Sequence, residues 1–129
     1  MPTIPIEYNL NPHKRGDTIY INVNDVLDAA SAAIPLADYT LRAVLKLASD
    51  TASNDSSAIS VITGGSGITV SSTNDMALIF PASDTDDVTG PTTLRWEVQA
   101  TLTASPTIVR RTLAYGEIPI MQDLVKTAP

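Results

Sequence analysis

Leu94-Arg95-Trp96-Glu97-Val98-Gln99-Ala100-Thr101-Leu102 decides the fold of this 129-residue chain. Apolar or small residues fill every second position, and polar or charged residues fill the positions between. Successive side chains of a strand point to opposite faces, so this period of two predicts a half-buried antiparallel strand. Trp96 belongs to the core, and Arg95, Glu97 and Gln99 belong to solvent.

The same alternation recurs outward from this stretch. In residues 39–47, Tyr39, Leu41, Ala43, Leu45 and Leu47 point one way and Arg42 and Lys46 the other. Residues 18–23 set Ile19, Ile21 and Val23 against Tyr20 and Asn22. Residues 59–62, 68–70 and 76–80 read as three short strands. They are separated by Gly64-Gly65-Ser66-Gly67, a tight turn in which positive φ is needed, and by Ser72-Thr73-Asn74-Asp75. Residues 107–120 return from a hairpin loop at Ala104-Ser105-Pro106 as a long strand. Asn24 or Asp25 is placed to cap a short helical turn before Pro35. A second turn follows Pro81, where Ser83 and Asp86 have capping spacing. About seven short strands with turn signals every 8–12 residues predict an all-β fold, an antiparallel β-sandwich. The organisation expected is an extended N-terminal arm (1–11), one sandwich domain (12–121) and a short C-terminal tail (122–129).

In the arm, Ile4, Ile6, Tyr8 and Leu10 fall on one face of an extended segment. Pro5 lacks an N–H, so the segment belongs at a sheet edge. Two readings stand side by side: the arm packs on its own sheet, or it pairs with a neighbouring subunit, which makes these four residues interface candidates.

Composition bounds the chemistry. The chain has no cysteine, which removes disulfides, thiolate zinc sites and a cysteine nucleophile. A formal charge of −6 repels nucleic acid and anionic membranes, so neither is expected as a partner. No apolar run approaches the ~20 residues of a membrane span. Met1 is followed by Pro-Thr-Ile-Pro, with no signal-peptide pattern, which predicts synthesis in the cytoplasm.

The reactive motifs are weak. His13, the single histidine, sits in a loop beside Lys14 and Arg15. Gly65-Ser66-Gly67 lies between strands, whereas a nucleophile elbow lies between strand and helix. Asp84, Asp86 and Asp87 form an acidic cluster without the spacing of an EF-hand loop, and they suit the first turn of a helix. Arg15-Gly16-Asp17 and Asn54-Asp55-Ser56 match short motifs by letter and read as turns. Arg110 and Arg111 are neighbours on a strand and face opposite sides. The expectation is a chain that is not an enzyme, with no catalytic residue, no cofactor, no metal and no small-molecule substrate.

Taken in order, several short motifs form a familiar series. Gly16-Asp17-Thr18 opens the first sandwich strand, and Leu41-Arg42-Ala43-Val44-Leu45 makes the second. Gly67-Ile68-Thr69-Val70 and a strand ending Leu78-Ile79-Phe80-Pro81-Ala82 follow. Gly90 then precedes the Trp96 strand, and Arg111-Thr112-Leu113-Ala114-Tyr115-Gly116-Glu117-Ile118-Pro119-Ile120 closes the series. This order, over residues 15–120, resembles small bacteriophage and prophage virion proteins with an immunoglobulin-like, baseplate-upper-protein-like β-sandwich. Residues 121–129 depart from it, because they lack the Asp-Val-Thr-Arg close of that group.

The resemblance implies a non-enzymatic virion structural protein. It would dock as a small accessory module on a capsid, as decoration, or on a tail or baseplate. Its implied partners are other virion proteins and copies of itself, and its implied location is the virion. The alternative from a different class is a carbohydrate-binding or host-adhesion module, which predicts an exposed cluster of Tyr8, Tyr20 and Tyr115.

Overall fold

The computed structural model describes residues 5–14, 16–50, 57–88, 91–103 and 108–121. The architecture is all-β. In chain order the strands are β1 (Ile6–Glu7), β2 (His13–Lys14), β3 (Ile19–Val23), β4 (Thr40–Leu47), β5 (Ser60–Gly64), β6 (Gly67–Ser72) and β7 (Asp75–Phe80). A single helical turn, α1 (Ala82–Thr85), precedes β8 (Thr92–Thr103) and β9 (Ile108–Met121). One continuous ladder runs β1-β9-β8-β4-β5-β6-β7-β3, and β2 also pairs with β9.

The ladder curls into two facing layers. Leu41, Ala43 and Leu45 of β4 and Leu94, Trp96 and Val98 of β8 are buried in one cluster with Ile19, Ile21 and Val23 of β3 and Met76, Leu78 and Phe80 of β7. The alternation read from the sequence is what makes this possible, since each strand presents one apolar row to a shared interior. Trp96, Phe80 and Leu45 are among the largest side chains fully enclosed there.

The ladder is mixed. β4 pairs antiparallel with β8 over eight residues from Thr40↔Thr101 to Leu47↔Leu94, and β8 pairs antiparallel with β9 from Thr92↔Ile120 to Thr103↔Ile108. β1 and β2, in contrast, run parallel to β9. β5 and β6 meet in a short parallel contact of Thr63↔Gly67 and Gly64↔Ile68. At that corner the chain passes from one layer to the other through the glycine turn. Gly65 and Gly67 take φ of 80° and 104°. A Cβ on Gly67 would fall 2.6 Å from the Ile62 side chain, so the corner needs a bare backbone.

Two local expectations are corrected. Residues 24–33 form no helical turn. Asp28 Oδ1 accepts the N–H groups of Ala30 and Ala32, and Leu27 bridges Ala33, which gives a tight side-chain-closed loop. An Asp that captures nearby backbone donors competes with the helix for them. The helical turn of this region is a 3-10 turn at Leu36–Asp38, beginning after Pro35. At α1 the cap position is Pro81, with no side-chain cap, and Asp86 lies at the C-terminal end. The residues of the expected hairpin loop, 104–106, and of the tail, 122–129, lie outside those described.

Candidate functional site

The arm is built into the sheet. Ile6 and Glu7 register against Ala114 and Tyr115. Tyr8 N–H donates to Tyr115 O at 2.8 Å and Leu10 N–H to Glu117 O at 2.9 Å. Asn9 Oδ1 accepts the Glu117 N–H at 3.0 Å. Ile6, Tyr8 and Leu10 pack, half-buried, against the common core, while Ile4 lies outside the described residues.

Trp96 ties the arm to the interior. Its Nε1–H donates to the Tyr8 carbonyl at 3.2 Å, and the two rings stack with centroids 6.5 Å apart. The bond crosses over Gly116, the β9 partner of Trp96. A Cβ on Gly116 would stand 1.6 Å from that carbonyl oxygen. Glycine is required here for close approach, and its φ is not positive.

The outer face of β4, β8 and β9 forms a groove of about 790 Å³, walled at one side by Pro5 and Glu7 of the arm. The ladder register arranges it in rows. Arg42, Gln99 and Thr112 make one row; Val44, Glu97 and Tyr115 the next; Lys46, Arg95 and Glu117 the third. Glu97 Oε1 accepts from Gln99 Nε2 at 3.1 Å and from Thr112 Oγ1 at 3.2 Å. Arg95 donates to the Asp50 carbonyl at 2.9 Å. The register of this face depends on a bulge: Val98 pairs with Ala114 and Gln99 with Thr112. Leu113 is therefore the extra residue, and it and Ala114 are both buried.

At the opposite end of the ladder, β3 pairs only with β7 among the described residues. Its sequence, Ile-Tyr-Ile-Asn-Val, carries no charge and no proline. Tyr20 is 65% exposed and stands opposite Ile79, itself exposed.

The reactive groups singled out in the sequence occupy structural positions. The His13 ring lies 2.7 Å from the Asn11 carbonyl, on the strand β2 that the sequence suggested was loop. Asp84 accepts from Ser60 Oγ at 2.6 Å, and Asp86 and Asp87 are exposed. Ser66 closes the glycine corner by exchanging backbone bonds with Thr63. Among the described residues, no group of three His, Asp or Glu side chains is placed to hold a metal. Arg110 is exposed, whereas Arg111 is half-buried, with a buried Nε that has no hydrogen-bond partner among the described residues.

The three tyrosines do not form the expected cluster. Tyr8 stacks on Trp96, Tyr20 lies on the other layer, and Tyr115 alone reaches the groove. The groove and the bare edge were not singled out in the sequence. The outward residues of β4 and β8 are visible there as the polar half of the alternation, but nothing in the alternation says that the arm lies beside β9 and walls their face into a groove. No protein-family model, curated protein or solved structure matches this chain.

Proposed function

We propose that this chain is a non-enzymatic structural module that joins a protein assembly by sheet-edge contacts. The setting is a bacteriophage particle, as the resemblance of residues 15–120 to small virion proteins suggests. The observation that carries the reading is the contrast between the two ends of the ladder. The β9 edge is closed by the chain's own arm, whereas β3 is uncovered among the described residues and has none of the charges, prolines or bulges that keep edge strands from pairing. Such an edge adds a strand from a partner through backbone hydrogen bonds, with Tyr20 and Ile79 offering adjacent apolar surface. Ile6, Tyr8 and Leu10 pack on the chain's own core, which supports the reading in which the arm covers its own sheet and leaves β3 as the docking edge. Repetition in a symmetric particle multiplies contacts that are weak one at a time.

The test is to isolate assembled particles from cells that make the chain together with the structural proteins encoded beside it, and to quantify the chain by mass spectrometry. The reading expects a fixed number of copies per particle and a loss of incorporation in Tyr20→Lys. A chain that stays wholly in the unassembled fraction overturns it.

A further inference from the structure

We infer that the groove on the outer face of β4, β8 and β9 is a binding site for an uncharged, hydroxyl-rich saccharide. Its charge points to the class of ligand. Arg42, Lys46 and Arg95 are matched by Glu7, Glu97 and Glu117 along its lining, so the groove is formally neutral in a chain of charge −6. The excess negative charge lies elsewhere, and this face repels neither a neutral ligand nor its approach.

Its chemistry narrows the class further. The planar groups of Arg42, Glu97 and Gln99 stand on adjacent strands in consecutive rows. Guanidinium, carboxylate and amide groups present paired donors or acceptors, the geometry that vicinal hydroxyls answer. Glu97 is held by Gln99 and Thr112, so its carboxylate is oriented before any ligand arrives. Tyr115, 39% exposed, places one aromatic ring beside this floor, suited to the C–H face of a pyranose. A peptide fits less well. Peptides dock by backbone pairing at an edge or by apolar anchors in pockets. This surface is a face, not an edge, and Val44 and Pro5 are the aliphatic side chains along it among the described residues. Its volume lies in the range of small-ligand sites. The arm completes the site, because Pro5 and Glu7 form its wall.

The experiment probes the full chain against an array of neutral hexose and N-acetylhexosamine oligosaccharides. Sialylated and sulfated glycans and a random peptide library serve as separate arms. The expected result is saturable retention of one or more neutral oligosaccharides. Tyr115→Ala and Gln99→Ala, both at exposed positions, should each weaken retention on the order of tenfold while cooperative thermal unfolding is kept. Retention of only charged glycans or only peptides, no retention at all, or neutral-glycan binding indifferent to both substitutions would each overturn the inference. None of these outcomes bears on incorporation into particles, so the two proposals stand or fall separately.

Discussion

At the residue scale, the molecule turns on the line Trp96–Gly116–Tyr8. A buried indole N–H without an acceptor costs about 1–3 kcal/mol. The Tyr8 carbonyl removes that cost, and only glycine at position 116 leaves room for it. Gly116→Ala is therefore expected to expel the arm and destabilise the fold by roughly 2–3 kcal/mol, combining overpacking with the lost bond. Urea denaturation followed by the fluorescence of Trp96, the single tryptophan, reads both effects, as a lower midpoint and a red-shifted native emission. Thr85, fully buried, is a second such point. Its hydroxyl accepts from Gly16 N–H and lies 3.1 Å from both the Asp17 and Ala82 carbonyls. Thr85→Val keeps the shape and strands those groups, with an expected loss of about 1–3 kcal/mol in the same assay. Asp75 gives a pH signature. Hydrogen bonds from the Asp25 backbone and from Ser72 hold its carboxyl below the ordinary 3.8. A depressed folded value contributes stability above the unfolded value, and that stability is lost as pH falls through the folded one. Asp75→Asn should thus lower Tm near neutrality and narrow the gap to the wild type below about pH 3.8.

At the scale of elements, β3, β4 and β8 were legible because a strand buried on one face writes period two into its residues. Trp96, Leu41, Ala43, Leu45, Ile19 and Ile21 all fall where that period puts them. What the period does not encode is partnership. The parallel pairing of β1 and β2 with β9 joins residues more than 100 positions apart and leaves no local mark. At 24–33 the Asp28 carboxylate holds backbone donors that a helix would use, and Asp25 and Ser31 take positive φ, so the stretch forms a loop rather than a helical turn. The Leu113 bulge is equally silent in sequence, yet it sets which β9 residues line the groove. Removal of residues 2–11 is expected to lower Tm and expose Trp96 to an external quencher such as iodide. It would strip a parallel strand from β9 and leave the indole N–H unpaired. An unchanged Tm and unquenched Trp96 would show the arm to be dispensable.

At the scale of the whole molecule, a single core serves both layers, and the surface divides the tasks. Among the described residues, one end of the ladder is sealed from within, one end is open, and the face between carries a balanced set of charges. Placing a charge on the open edge tests whether it is the docking point without disturbing the core. Tyr20→Lys should leave thermal stability within about 0.5 kcal/mol of the wild type, as surface changes usually do, and should reduce incorporation into particles. The bond from Trp96 to Tyr8 spans 88 positions, and the strand beside Tyr8 is the last one described. On the ribosome β1 therefore has no β9 to pair with until more than 100 further residues have been made. Native closure is thus governed by the slow search for distant partners rather than by the order of translation.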